Sequence, residues 1–113
     1  MGAEFSLQKD GKICKVEWGK GTIGSTQVVG GSCLCEAHVT YNYYDKFAFH
    51  RELCGKTGAE TIPILEGVIE RMGTIEPTGN YWISTEGNVG YIAAQLLDWA
   101  KQYPDAVWIE GWC

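Results

Sequence analysis

The chain has 113 residues, with 14 acidic and 9 basic side chains and a formal charge of -5. That length forms one domain around a single core, and a content of 45% hydrophobic residues is enough to build it, which excludes a disordered chain. No run reaches the roughly 18 apolar residues that span a bilayer, no basic segment leads into an apolar stretch near the start, and the acidity disfavours general nucleic-acid binding, which needs Lys and Arg to neutralise phosphates. The expectation is one soluble, cytoplasmic domain over residues 1–113.

In chain order, Phe5 and Leu7 alternate with polar neighbours, Asp10-Gly11 marks a tight turn, and Cys14, Val16 and Trp18 alternate again. This predicts a hairpin with Phe5, Leu7, Cys14, Val16 and Trp18 facing the core. Five glycines between Gly19 and Gly31 predict a mobile loop, with a short extended piece at residues 27–29. From Cys33 to Tyr43 the alternation is strict. Cys33, Cys35, Ala37, Val39 and Tyr41 share one face of a strand, and Leu34, Glu36, His38, Thr40 and Asn42 share the other.

Residues 44–53 space their apolar side chains as a short, imperfect helix that Gly55 can end. A clearer helix follows, with Ile62, Leu65, Val68, Ile69 and Met72 on one face and Gly73 as its stop. Thr57 with Glu60 has capping-box spacing, but a start there places Pro63 deep in the helix, so Thr61 is the predicted cap. Tyr81 to Thr85 predicts a short strand. Residues 89–102 predict a helix capped by Thr85 or Asn88, burying Val89, Ile92, Ala93, Leu96, Leu97 and Ala100 with Trp99 at the edge. Residues 106–112 read as a last strand. The order predicts an α+β fold, a largely antiparallel sheet of four to five strands with two or three helices on one face.

Several residue sets invite a chemical reading. Gly55-Lys56-Thr57 suggests a phosphate loop, but His50 stands where the first glycine belongs and the preceding segment looks helical. Cys33, Cys35 and His38 are candidate metal ligands. Their spacing argues for a core row instead, because cysteines two apart on a strand lie about 7 Å apart and His38 faces the other way. His50 and Cys54, four apart, would share a helix face as a thiol–imidazole pair, and Glu36 with His38 could serve acid–base chemistry. An odd count of five cysteines without a secretory segment predicts free thiols.

The charge is uneven. Residues 1–56 carry six acids and seven bases, whereas residues 57–113 carry eight acids against Arg71 and Lys101. Five tryptophans exceed what a core of this size ordinarily holds, and Trp is a favoured interface anchor.

The runs Thr40-Tyr41-Asn42-Tyr43, Gly55-Lys56-Thr57-Gly58-Ala59, Ile62-Pro63-Ile64-Leu65-Glu66, Asn80-Tyr81-Trp82, Glu86-Gly87-Asn88, Leu96-Leu97-Asp98-Trp99-Ala100 and Pro104-Asp105-Ala106 resemble those of small uncharacterised proteins of bacteria, phages and mobile elements. The likeness covers roughly residues 36–110 and brings no activity or cofactor with it. It implies a bacterial or mobile-element origin and a cytoplasmic setting. It also implies that Gly55–Gly58 and Glu86–Asn88 are shared loops rather than nucleotide-binding elements.

The function these features predict is a small protein-binding or inhibitory accessory module without a cofactor. Trp82, Trp108 and Trp112 would anchor a protein partner with a basic surface, and Glu86, Asp98, Asp105 and Glu110 would supply the complementary field. The alternatives are a small-molecule binder or enzyme, with its pocket between the glycine-rich loop and His38, and a self-assembling protein such as a homodimer.

Overall fold

The computed structural model describes residues 2–23, 32–40, 47–73 and 86–110. Among them are four strands and three helices: β1 (Gly2–Lys9), β2 (Lys12–Ile13), β3 (Glu36–Thr40), α1 (Phe49–Leu53), α2 (Gly58–Met72), α3 (Glu86–Gln102) and β4 (Val107–Glu110). The fold is α+β, as the sequence order predicts. The predicted strand at Tyr81–Thr85 and the extended piece at 27–29 lie outside the described residues.

β1 is the centre of the sheet and pairs antiparallel with every other strand. Phe5 lies opposite both Ala37 and Glu110, and Gln8 opposite both Ile13 and Val107. A strand has two edges, so β2 and β3 share one and β4 takes the other. Asp10 and Gly11 turn the β1–β2 hairpin with φ of 54° and 76°. Two left-handed residues in sequence are what the twist of a two-residue hairpin requires, which explains the Asp-Gly pair. Alternation then places Phe5, Leu7, Cys14, Cys35, Ala37 and Val39 in the core.

Trp18 breaks the predicted row. Parity aligned it with Cys14 and Val16, yet it is 73% exposed. The cause is local, because Trp18 sits inside a turn. Lys20 N–H bonds back to the Glu17 carbonyl at 3.0 Å, and Gly19 takes a φ of 88°. The glycine-rich segment also departs from the mobile loop expected, over its described part. Ile23 bridges Ala37 in parallel and is fully buried, and Gly21 bridges Ser32. A Cβ on Gly21 would come within 2.5 Å of the Leu34 backbone, so glycine serves close approach there.

α2 starts at the capping box, not at Thr61 as the depth of Pro63 predicts. Thr57 is the N-cap, its hydroxyl accepting from Glu60 N–H at 3.2 Å while the Glu60 carboxylate accepts from Thr57 N–H at 2.9 Å. Pro63 is therefore the sixth helical residue, and the helix lacks the bond that its N–H would make to Ala59. Two further contacts offset this. Gly58 N–H donates to Ala106 O and Ala59 N–H to Pro104 O, both at 2.8 Å, so the exposed end of the helix is closed by the chain before β4. α1, shorter than predicted, buries Phe49 and Leu53 one turn apart.

α2 and α3 run antiparallel in close contact. At one end a Cβ on Gly58 would meet Tyr103 O at 2.5 Å, and at the other a Cβ on Gly90 would meet Gly73 O at 1.6 Å. Leu65 and Val68 of α2 and Val89, Ile92, Ala93, Leu96 and Ala100 of α3 are buried. Trp99, expected at the edge, lies fully inside, and Leu97 is only half-buried. Asn88 is inside α3, so it is no cap, and Thr85 lies outside the described residues. Glu86 to Asn88, expected as a loop, open the helix.

Two outcomes follow for stability. Gly90→Ala forces two helix backbones apart and should cost about 3 kcal/mol or more in urea unfolding, whereas Gly67→Ala, where an added Cβ meets only Arg71 at 3.7 Å, should gain about 0.5–1 kcal/mol. Hydrogen bonds from Thr57 hold the Glu60 carboxyl below its ordinary 4.5, so its contribution to stability is full above that pH and is lost as pH falls through the lowered folded value. Unfolding midpoints should therefore drop on acidification below about pH 4.5, and Thr57→Ala, costing about 1 kcal/mol at neutral pH, should flatten that drop.

Candidate functional site

The residues singled out for chemistry separate into three places. The first is the outer face of the sheet. Glu36 and His38 sit there on β3, both half-buried, opposite Ser6 and Glu4 of β1. The start of the glycine-rich segment runs beside them, with Ile23 N–H donating to Glu36 O at 3.0 Å and His38 N–H to Ile23 O at 2.8 Å.

That pairing carries Thr22 onto Glu36. The Thr22 hydroxyl donates to Glu36 Oε1 at 3.3 Å and shares a second hydrogen bond with the Ser32 hydroxyl. A threonine has one proton and a carboxylate only accepts, so Ser32 must be the donor to Thr22. The result is a directed chain, Ser32 to Thr22 to Glu36, suited to orienting a polar ligand. Thr22 has a φ of 56°, a costly conformation for a β-branched residue. Sequence gives no sign of this chain, because Thr22 sits in the glycine-rich run that reads as loop and Ser32 falls between that run and the strand.

The second place is α1. The helix ends with Cys54 N–H bonded to His50 O at 3.0 Å. Burial, and then the charge of Glu110, push the Cys54 thiol up to about 11. An activated cysteine nucleophile shows the opposite shift, toward thiolate at neutral pH, so nothing in the surroundings of Cys54 favours its thiolate. Cys33, Cys35 and His38 fare no better as ligands. Cys35 is fully buried on the core face, with its thiol pushed up to about 12 by desolvation, and His38 lies on the other face. Among the described residues, no group of three or more His, Cys, Asp or Glu side chains could hold a metal ion.

The third place is the acidic, tryptophan-bearing surface that the sequence predicts, and Trp108 does not lie on it. The side chain is fully buried, stacked edge-on against Phe5 with centroids 5.8 Å apart, and its Nε1–H donates to Thr61 Oγ1 at 2.9 Å. It can anchor no partner. Trp82 and Trp112 lie outside the described residues, and Glu86 is the first residue of α3. Three of the acids have positions of their own. Asp105 is exposed but ion-paired with Lys9 at 2.8 Å, Asp98 accepts from Gln102 at 3.0 Å, and Glu110 lies opposite Phe5.

What stands in place of that surface is Trp18, the one exposed large hydrophobic side chain among the described residues. Its loop is fixed on both sides. Val16 N–H donates to Cys33 O at 2.7 Å, and Gly19 N–H to Ser32 O at 3.0 Å. From α3, Trp99 Nε1–H donates to Lys20 O at 3.0 Å, and just beyond the helix the Tyr103 hydroxyl bonds the Lys15 carbonyl. Exposed Lys15, Glu17 and Lys20 surround it in sequence.

For Cys54, a thiol near 11 leaves roughly one molecule in three thousand ionised at pH 7.5. Iodoacetamide labelling at Cys54, followed by peptide mass, should accelerate about tenfold per pH unit up to about pH 10. A plateau near pH 8 would show an activated thiol.

No protein-family model, curated protein or solved structure matches the chain.

Proposed function

We propose that this is a protein-binding module, an accessory or inhibitory protein of the cytoplasm, whose anchoring side chain is Trp18. The observation that carries this reading is the pairing of a 73% exposed indole with a backbone held on both sides of it. An exposed Trp on a loose loop must be ordered on binding, and the loss of freedom consumes part of the affinity. Here the loop is already ordered, so burial of the ring is gained at less cost. The acidic excess lies in residues 57–113, so any long-range preference for a basic partner surface would come from there, while Lys15, Glu17 and Lys20 beside the ring would form its polar rim.

A second reading has its own support. The Ser32–Thr22–Glu36 chain beside His38 favours a polar small molecule bound at the outer sheet face. The two readings respond to different substitutions. Partners retained by the immobilised protein and identified by mass spectrometry should fall at least tenfold with Trp18→Ala, while the thermal midpoint stays within about 2 °C, as expected for a surface change. Retention unaffected by Trp18→Ala sinks the anchor. A thermal shift with a metabolite, abolished by His38→Ala in a folded protein, would favour the small-molecule reading instead.

A further inference from the structure

We propose that Cys14 and Cys35 form a redox-sensitive pair that closes into a cross-strand disulfide under hydrogen peroxide. Register carries the inference. Lys15 and Leu34 form an antiparallel bridge, so Cys14 and Cys35, one position before and one after, oppose each other. Cys35 N–H donates to Cys14 O at 3.0 Å, closing that pairing.

Both cysteines also meet Leu7. Cys14 N–H donates to Leu7 O at 2.9 Å, and Leu7 N–H donates to Cys35 O at 3.0 Å. The β1–β2 and β1–β3 registers, continued by one residue each, place both cysteines opposite Leu7. Residues opposite one another share a face, and Leu7, Cys14 and Cys35 are all buried in the same core. Opposed residues of an antiparallel pair have Cα atoms about 4.5–5.5 Å apart, within the window of about 4.4–6.8 Å that a disulfide needs.

No other pair of described cysteines is so placed. Cys33 opposes Val16, whose N–H donates to its carbonyl at 2.7 Å, and it lies two residues along the strand from Cys35, about 7 Å away. Cys54 is beside Gly55, on the far side of β4, where Gly55 N–H bonds Trp108 O.

The chemistry balances with one peroxide. Cys14, 7% exposed while Cys35 is fully buried, is the thiol a small oxidant meets first. Its thiolate attacks one peroxide oxygen, the O–O bond breaks and hydroxide leaves, taking up the thiol proton as water. The resulting sulfenic acid is attacked by the Cys35 sulfur, the S–S bond forms, and the hydroxyl departs as a second water with the Cys35 proton. Two thiols are oxidised and one peroxide is reduced to two waters. Burial raises both thiols, so closure answers sustained rather than brief exposure. The bond would enclose residues 15–34, Trp18 among them, and restrict the unfolded chain.

The test uses the full chain, reduced, treated with hydrogen peroxide, alkylated in denaturant and digested. The expected result is one dominant linked peptide pair joining Cys14 to Cys35, reversed by dithiothreitol, with a thermal midpoint about 10 °C higher in the oxidised form. The linkage should persist in the Cys33→Ser/Cys54→Ser double variant, which leaves both core thiols in place. Absence of the linkage, sulfinic acid at Cys14 without it, or the same mixture of linkages that guanidinium-unfolded protein gives would each overturn the proposal.

Discussion

The indole of Trp108 joins the two layers of this protein, and most of the fold is arranged around it. Phe5 meets it edge-on from β1, and Trp99 of α3 lies at 6.4 Å between centroids with the planes tilted by 30°. Burying a ring of this size removes about 150–250 Å² from water, worth roughly 4–6 kcal/mol. The nitrogen would forfeit part of that if left without an acceptor. Thr61 Oγ1 accepts from it, and the same hydroxyl donates to Gly58 O at 2.8 Å. The strand is thereby tied into the first turn of α2. Its backbone completes the tie, since Trp108 N–H donates to Lys56 O at 2.9 Å and Trp108 O accepts from Gly55.

That arrangement also occupies the donors of Gly55-Lys56-Thr57-Gly58. A helix N-terminus binds phosphate because its first N–H groups lack partners. In α2 the groups of Gly58, Ala59 and Glu60 are taken by Ala106 O, Pro104 O and Thr57 Oγ1. Lys56 is turned away as well, its Nζ bonded to Glu52 O at 2.6 Å. The glycine at 58 serves the close approach of Tyr103 and Ala100 rather than a ligand. Helix capping by the β4 approach and nucleotide binding compete for the same donors, and capping has won.

Legibility in the sequence followed the range of the interaction. The Asp10-Gly11 hairpin, the alternation in β3 and the apolar stripe of α3 depend on neighbours a few residues away and were readable. Trp99 and the start of α2 were misplaced because each is decided by partners distant in sequence. Pro63 looked too deep for a helix starting at Gly58, a defect worth about 3 kcal/mol in a helix interior. The capping box and the carbonyls of Pro104 and Ala106 answer that defect, and nothing near Pro63 in sequence announces those carbonyls. The candidate site was less legible. Glu36 and His38 were found by parity, but Thr22 reaches Glu36 only through the parallel bridge of Ile23 to Ala37.

Trp18 is instructive as the exception within a well-satisfied molecule. Among the described residues no buried side-chain nitrogen or oxygen lacks a hydrogen-bond partner, and the indoles of Trp99 and Trp108 are both buried and bonded. Trp18 shares neither condition, although Val16 two residues earlier is buried and the loop that carries it is stitched to Cys33, Ser32 and Trp99. A fold that could have turned this side chain inward by continuing the strand instead reverses at Gly19. The hydrogen bonds that define the reversal order the loop without covering the ring. Such a geometry orders the backbone beneath an exposed ring, which lowers the ordering cost of burying that ring against another surface.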